Sequence, residues 1–244
     1  MSIPKSQSLL LALMSTLVVL GASFKLSDAE ASVVQVGVMA ATGSFTPSGT
    51  AFFVSDDGLI MTADHVYVSA AKSMNDLRSD RLVVRRANST SAQVLTTPID
   101  LVKRDPVHDL AILKLQSLSP DWKNFGGMKS LTFTKTPSEA GEKLCSMGYF
   151  GGDPLPGGLC GMFYGPSYTS LSPNDSVPEI LVQLQANQGQ SGSPVLRPDT
   201  GEVVGILLAI VPAFLPSTPP QPIHSGLMRL AKGEYASRLL ASSK

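Results

Sequence analysis

Short hydrophobic runs separated by turn-forming residues make up most of the chain from Val33 onward. Apolar and polar residues alternate over Val33–Val38, Thr50–Val54 is a compact apolar run, and Leu59–Thr62 follows the turn sequence Asp56-Asp-Gly58. Alternation of this kind, in runs of about four to eight residues, is typical of β-strands. The same patterns predict further strands at 81–85, 91–95, 110–115, 142–147, 180–184, 193–196 and 202–210.

Three later stretches depart from the strand pattern. Residues 119–140 are rich in Pro, Ser, Lys and Gly and lack a clear period, so we place a connection between two halves of the fold there. The stretch Pro212–Pro222 is predicted to be a loop, because proline has no N–H to contribute to a central strand. Apolar residues at helical spacing predict a C-terminal helix over about 226–242, although Gly233 lowers the helical propensity there.

Many short strands, few helices and one central connection predict an all-β fold with two small β-barrels side by side. We expect the N-terminal barrel at about 33–118 and the C-terminal barrel at about 141–225. A chain of 244 residues is long enough for two such halves that share a core. Plentiful Gly and Pro, with only 6% aromatic residues, agree with short strands joined by many turns.

Residues 1–31 have the pattern of a secretory signal. Lys5 precedes the apolar run Leu9–Ala22, which is shorter than the roughly 20 residues that a membrane-spanning helix prefers. We predict a signal peptide cleaved after Ala29-Glu-Ala31 or at Ala22, with an uncleaved anchor or an organelle transit segment as the alternatives. The predicted location is therefore secreted or extracytoplasmic, in the periplasm or at the cell surface, with membrane contact only through this segment where it is uncleaved.

The charge balance and the two cysteines limit the partners that we expect. Nineteen basic and nineteen acidic residues give a formal net charge of zero, which offers no electrostatic reason to expect nucleic acid as a partner. Cys145 and Cys160 flank a Gly/Pro-rich turn at 151–158, so they form either a disulfide or two buried free thiols. Two sulfurs with scattered histidines make a poor zinc site, and we predict no metal and no cofactor.

Three segments carry residue types suited to nucleophilic catalysis: one with His65, one with Asp109 and one with Ser191. A serine hydroxyl needs an imidazole to accept its proton, and the imidazole needs a carboxylate to fix its tautomer. His65 is the one histidine that follows a predicted strand and tight hairpin, where a rigid scaffold presents a side chain. Asp105 is a competing carboxylate, and His108 is predicted to be a loop residue, as is His224.

The serine lies in a glycine-rich turn, Gly189-Gln-Ser191-Gly-Ser-Pro194. Backbone amides of Gly189 and Ser191 can both point at a developing oxyanion only if the turn takes unusual dihedral angles. A β-carbon at position 189 would also hinder the approach of a substrate. We therefore predict an oxyanion hole formed by the amides of Gly189 and Ser191.

These segments resemble the trypsin-like serine proteases, and most closely the HtrA/DegP branch. The histidine motif T-x-x-H-V corresponds to Thr62–Val66, the aspartate motif to Asp109–Leu113 and the nucleophile motif to Gly189–Pro194. Gly201–Ile210 looks like the strand whose backbone pairs with substrate in that family. The order His, Asp, Ser is the chymotrypsin order and differs from that of subtilisins and α/β-hydrolases.

The resemblance covers roughly residues 33–215 and implies two six-stranded antiparallel β-barrels with a C-terminal helix. It implies a serine endopeptidase that acts on polypeptides through an acyl-enzyme, with Ser191 as nucleophile, His65 as base and Asp109 as the residue that orients His65. The alternative is a catalytically inactive or chaperone-like binding protein with the same fold.

Departures from the family pattern narrow this interpretation. Gln190 stands before the serine where trypsin-type zymogens use an aspartate, which argues against trypsin-like activation. The chain ends soon after the serine motif, so no PDZ domain is expected. Asp64 directly precedes His65, where the branch has an uncharged residue; it is either an exposed loop carboxylate or a group that perturbs the imidazole.

The residues that the resemblance implies for substrate binding are mostly apolar. Gln185 falls where related enzymes place the base of the primary specificity pocket, and because it is not acidic, a preference for Lys or Arg is disfavoured. With Ile206, Leu207 and Leu208 near the pocket wall, we expect the pocket to take a small or medium apolar side chain.

Overall fold

Two closed six-stranded antiparallel β-barrels account for most of the structure, a computed structural model. It describes residues 24–76, 81–88, 91–118, 122, 128–151, 153–172, 175–215 and 221–243. The predicted all-β double-barrel fold is confirmed.

The first barrel has the strand order β1-β2-β3-β6-β5-β4. Its strands are β1 (Val33–Met39), β2 (Phe45–Phe53), β3 (Leu59–Ala63), β4 (Arg81–Asn88), β5 (Ser91–Asp105) and β6 (Leu110–Leu115). Helix α1 (Asp64–Asp76) follows β3 without an intervening loop. The apolar runs of β2, β3 and β6 fill the barrel, and Phe52, Ile60 and Ile112 are fully buried there.

The second barrel has the order β10-β11-β12-β9-β8-β7. Its strands are β7 (Lys143–Tyr149), β8 (Pro156–Ser172), β9 (Asp175–Gln183), β10 (Pro194–Leu196), β11 (Val203–Leu215) and β12 (Gln221–Lys232). Helix α2 (Gly233–Ala241) follows β12. The nucleophile turn thus lies between β9 and β10, and it enters the short strand β10 directly.

The C-terminal helix begins later than its predicted start near 226. Residues 226–232 belong to strand β12, which pairs with β9 on one side and β11 on the other. Met228 and Leu230 are fully buried while Arg229 between them is partly exposed, which is the alternation of a strand. Leu227 and Leu230 fit a helical period, whereas Met228 and Leu230 fit the period of a strand, so pairing with two neighbouring strands decides the outcome.

The proline-rich stretch is also different from its prediction, since Pro212 belongs to β11 and Pro222 to β12. Pro212 pairs with His224 just after a register shift, in a hairpin arm beyond the part of β11 that pairs with β10. A proline is tolerated there because this part of the strand has β12 as its one neighbour among the described pairings.

Residues directly before the first barrel, within the segment predicted as a signal, pack against the barrel core. Leu26–Ser32 form a 3₁₀ helix in which Ala29 is fully buried. A β-carbon at Gly158 would lie 2.6 Å from Leu26, and one at Gly201 would lie 2.4 Å from Phe24. These two glycines therefore leave room for the side chains that dock the segment. Residues 1–23, which include the apolar run, lie outside the described residues, and no helix in the described ranges is long and apolar enough to cross a membrane.

Candidate active site

A hydrogen-bonded histidine and aspartate lie at the end of the first barrel where β3 ends and β6 begins. Asp109 Oδ2 lies 2.7 Å from His65 Nδ1, and Asp109 Oδ1 accepts the backbone N–H of His65 at 2.8 Å. With Nδ1–H donated to the carboxylate, Nε2 of a neutral imidazole is the nitrogen able to accept a proton. The ring is half exposed, and its hydrogen bond to Asp109 uses Nδ1 rather than Nε2.

His65 is the second residue of helix α1. The helix follows β3 directly, and Asp64 donates its backbone N–H to the carbonyl oxygen of Asp109 at 3.0 Å. Asp109 therefore binds the start of the helix through both its backbone and its side chain, which fixes the position of the imidazole relative to β6.

The backbone of Asp109 has a positive φ of 54°, and no other non-glycine residue in the described ranges has a positive φ. Aspartate tolerates this left-handed conformation better than most residues, but it remains uncommon outside glycine. Three hydrogen bonds to Asp64 and His65 offset this cost. Local strain of this type concentrates at functional sites.

The hydroxyl of Ser191 donates a hydrogen bond to the carbonyl oxygen of Leu208 at 3.1 Å. Within the described side chains no hydrogen bond joins this hydroxyl to His65. The structure therefore brings His65 and Asp109 together and holds the Ser191 hydroxyl on β11. Catalytic hydrogen bonds are often long or poorly aligned in enzymes without substrate and tighten when substrate is bound.

The turn around Ser191 contains two glycines whose backbone has a positive φ. Gly189 and Gly192 have φ values of 93° and 86°, which a side chain would disfavour. A β-carbon at Gly189 would lie 2.8 Å from the carbonyl oxygen of Tyr149, so this position has no space for one. The backbone N–H groups of Gly189 and Ser191 donate no hydrogen bond to any described residue, which leaves both available to a ligand.

Gln190 is fully buried, and its side chain is used inside the turn. Its Oε1 accepts the backbone N–H of Asn187 at 2.9 Å, and its carbonyl oxygen accepts the N–H of Ser193 at 2.9 Å. A neutral amide therefore stabilises the turn from within, at the position where trypsin-type zymogens use a charged residue.

The residues predicted for substrate binding differ in exposure. Gln185 is exposed, whereas the side chains of Ile206, Leu207 and Leu208 are buried. Ile206 packs in the larger hydrophobic core and Leu207 in the core of the second barrel. The two side chains pack in different cores because alternate residues of β11 point to opposite faces of the strand. This strand can offer a substrate its backbone, as the carbonyl of Leu208 does for Ser191.

The competing carboxylate Asp105 is paired with another histidine. Asp105 Oδ2 lies 2.6 Å from His108 Nδ1, and the ring of His108 lies against that of Tyr235, 4.0 Å away on helix α2. Asp105 thus holds His108 in the way that Asp109 holds His65. The side chain of His224 lies outside the described residues.

Asp64 is neither exposed nor in a loop, so the first interpretation of this residue was wrong. It is 6% exposed and receives two hydrogen bonds from Arg104, at 2.5 and 2.7 Å. Its charge is therefore matched by a guanidinium. Sequence reasoning missed Arg104, since nothing in the sequence indicates that β5 lies opposite the start of α1.

Cys145 and Cys160 form a disulfide, which resolves the two alternatives that the sequence left open. They are directly opposite each other on the paired strands β7 and β8. The bond closes the hairpin that contains the Gly/Pro-rich turn.

A double β-barrel with a histidine–aspartate pair on one barrel and a glycine-rich serine turn on the other defines the trypsin-like class of fold and site. The trypsin-like peptidase domain model matches residues 49–206, a range that includes His65, Asp109 and Ser191. The chain belongs to this family. A Peptidase S46 model also matches residues 11–83.

The chain is similar to curated relatives and to solved structures. It is 30% identical over 160 residues to a "probable periplasmic serine endoprotease DegP-like" of Pseudomonas fulva, and 32% identical over 161 residues to one of Pseudomonas putida. Each match covers 65% of this chain but 28% of the relative.

The crystal structure of the Rv3671c protease from M. tuberculosis in its active form aligns with a TM-score of 0.62 at 21% identity. That alignment covers 88% of this chain and 82% of the solved chain, and the inactive form aligns with a TM-score of 0.61.

Proposed function

We propose that this protein is a serine endopeptidase that hydrolyses peptide bonds through an acyl-enzyme. Ser191 is the nucleophile, His65 the general base and Asp109 the residue that orients His65. The amides of Gly189 and Ser191 are the oxyanion donors. One observation carries the proposal: in a trypsin-like chain, Asp109 holds both the ring and the backbone of His65, so that Nε2 is left to accept a proton.

The reaction begins when Ser191 Oγ leaves the Leu208 carbonyl and attacks the scissile carbonyl carbon, while its proton passes to His65 Nε2. Asp109 stabilises the imidazolium that forms. The free N–H groups of Gly189 and Ser191 receive the negative charge on the substrate oxygen. His65 then protonates the leaving amine, and a water molecule activated by His65 hydrolyses the acyl-enzyme.

The proposed substrates are polypeptides in an extracytoplasmic compartment. This location is supported by the periplasmic assignment in the relatives' names and by the disulfide, which is typical of oxidising compartments. The neutral, exposed Gln185 supports a preference for residues other than Lys or Arg in the primary specificity pocket.

Labelling with a fluorophosphonate probe tests the proposal. We expect the folded protein to be labelled at Ser191, with loss of label in Ser191→Ala and in His65→Ala. Peptide hydrolysis should disappear in the same variants. A folded protein that takes no label, or a label that persists in Ser191→Ala, would contradict the proposal.

The alternative is a protein that binds polypeptides without cleaving them. The hydrogen bond from Ser191 to Leu208, in place of one to His65, is the observation that favours it. This alternative predicts a folded protein that suppresses the aggregation of an unfolded client and does not react with the probe. Hydrolysis of the client by the wild-type chain and not by Ser191→Ala excludes it.

A further inference from the structure

Thr50 of the first barrel lies between the two halves of the proposed site. It is a fully buried residue of β2, and its neighbours along the strand are Gly49 and Ala51. A β-carbon at Gly49 would lie 2.9 Å from the carbonyl oxygen of Ser191, so the strand passes very close to the nucleophile turn. This close approach brings the backbone and the hydroxyl of Thr50 within reach of the second barrel.

Four hydrogen bonds join Thr50 to residues around it. Its N–H donates to the carbonyl oxygen of Ser191 at 2.9 Å, and its hydroxyl donates to the carbonyl oxygen of Gly189 at 2.8 Å. The hydroxyl oxygen also accepts the N–H of Tyr149 at 3.0 Å, and the carbonyl oxygen accepts the hydroxyl of Thr62 at 2.6 Å. Thr50 therefore contacts the nucleophile turn on both sides of Gln190, and it also binds β7 and β3.

The hydroxyl of Thr50 has a definite orientation because both of its roles are filled. The Tyr149 N–H occupies the hydroxyl oxygen, so the hydroxyl proton is directed at the Gly189 carbonyl. Tyr149 is itself packed in the core at the end of β7, where it is 1% exposed. The hydroxyl oxygen of Thr50 is thus bonded to a buried residue of the second barrel.

Gly189 needs such an external restraint. Its φ of 93° lies in the region that side chains disfavour. Glycine itself has no side chain that limits rotation of the adjoining peptide groups. The carbonyl of Gly189 belongs to the peptide group that links it to Gln190, and the carbonyl of Ser191 to the group that follows the nucleophile. Two bonds from Thr50 fix these peptide groups, and the N–H groups of Gly189 and Ser191 lie next to them.

We propose that Thr50 is a positioning residue for the nucleophile turn. Its hydroxyl, held by Tyr149, fixes the Gly189 carbonyl and thereby orients the backbone amides of Gly189 and Ser191 toward the substrate oxygen. Through Thr62 the same residue links the turn to β3, which ends directly before the helix that carries His65. The effect of Thr50 on catalysis rests on the proposed function. Its effect on the conformation of the turn does not.

The test compares Thr50→Val, which keeps the shape and removes the hydroxyl, with Thr50→Ser, which keeps the hydroxyl. Since loss of one whole oxyanion donor costs about 10²–10³ in kcat, we expect Thr50→Val to lower kcat about tenfold to a hundredfold. KM should change less than about twofold, because the interaction matters mainly in the transition state. Thr50→Ser should restore kcat to within about threefold of wild type.

Thr97→Val is the matched control, because it also removes a buried threonine hydroxyl in the first barrel. That hydroxyl accepts the indole N–H of Trp122 and is not bonded to the nucleophile turn. Thr97→Val should lose stability while its kcat stays at the wild-type value. A general effect of stability on activity predicts instead that both valine variants lose kcat in proportion to their loss of stability.

Hydrogen exchange of the backbone amides tests the turn without any need for catalysis. We expect the peptide that covers residues 187–193 to exchange at least about fivefold faster in Thr50→Val and at the wild-type rate in Thr50→Ser. Peptides of β5 should be unchanged. If the valine side chain prevents folding, Thr50→Ala is the second hydroxyl-free variant, with the same expectations.

The two readouts separate the possible failures. If the wild-type chain neither hydrolyses peptides nor reacts with the fluorophosphonate probe, the proposed function is wrong, and exchange in the turn still decides whether Thr50 holds it. If the wild-type chain is active and Thr50→Val keeps both full kcat and slow exchange, the inference about Thr50 is overturned. A folded Thr50→Ser variant as impaired as Thr50→Val would also overturn it.

Discussion

Arg104 donates two hydrogen bonds, at 2.5 and 2.7 Å, to the carboxylate of Asp64, the residue directly before His65. Arg104 lies on β5 opposite Ala111 of β6, and its guanidinium lies 5.5 Å from the ring of Tyr67 on α1. The pair therefore joins the start of the helix that carries His65 to the sheet that carries Asp109. The hydrogen bonds to Asp64 in turn raise the pKa of the Arg104 guanidinium above its ordinary value.

Replacing Arg104 by methionine should destabilise the protein, because it leaves the buried Asp64 carboxylate without its counter-charge. Breaking a buried pair costs about 3–5 kcal/mol, and we expect about 1–3 kcal/mol here since Arg104 is about one-third exposed. Denaturant-induced unfolding measures the change. Lys114→Met is the matched control: it breaks a pair with the exposed carboxylate of Asp57 and should cost less than about 1 kcal/mol. Equal losses of unfolding free energy in the two variants would contradict the conclusion that Arg104 neutralises a buried carboxylate.

The sequence predicts the barrels well because their strands have compact apolar runs that fit one period. Thr50–Val54, Leu59–Thr62 and Leu110–Leu115 lie within or close to the observed strands β2, β3 and β6. At Leu227–Lys232 the pattern fits a helix and a strand alike, and the pairing with β9 and β11 is a tertiary interaction that local spacing does not contain.

The residues of the proposed site were predicted from their motifs, whereas the residues that contact them were not. The motif containing Asp109 distinguishes it from Asp105, and in the structure Asp105 binds His108. Thr50 and Arg104 act through contacts between segments that are distant in the chain, with Gly189 and Asp64 respectively. A single sequence carries no local signal of such contacts.

Two histidine–aspartate pairs near the start of β6 allow a direct comparison of their roles. Asp109→Asn should lower kcat by about 10⁴, because an amide can stabilise the wrong tautomer of His65. Asp105→Asn makes the same chemical change in the pair with His108 and should leave kcat within about threefold of wild type. Steady-state hydrolysis of a peptide substrate measures both variants. A larger loss of kcat in Asp105→Asn than in Asp109→Asn would contradict the proposal that Asp109, and not Asp105, supports catalysis.

The docked segment Phe24–Ser32 predicts where a signal would be removed. Cleavage after Ala31 would discard the buried Ala29 and the docked side chains of Phe24 and Leu26, whereas cleavage at Ala22 keeps them. We therefore expect N-terminal sequencing of the mature protein to begin at Ser23. A mature protein that starts at Ser32 would contradict this expectation.

Stability measurements test the same segment independently. Burial of a large apolar side chain contributes about 1.5–3 kcal/mol, so a chain that begins at Ser32 should be about 2–4 kcal/mol less stable than one that begins at Ser23. Gly158→Leu places a side chain in the space taken by Leu26, and it should reproduce part of the loss in the longer chain. In the shorter chain, which lacks Leu26, this substitution should cost less.

The ion pair of Arg197 with Glu142 predicts how stability depends on pH. Burial alone would raise the pKa of the Glu142 carboxyl, but the hydrogen bond from Arg197 and the charge of its guanidinium hold that pKa below its ordinary value. Because the pKa is lower in the folded than in the unfolded state, this contribution is fully present above the ordinary value near 4.5 and is lost as pH falls below it. Unfolding free energies measured between about pH 6 and pH 3 should show this loss.

Glu142→Gln should flatten the slope of unfolding free energy against pH. Arg197→Met should flatten it as well, because it removes the cause of the lowered pKa. A slope that stays unchanged in both variants would show that other groups dominate the acid response.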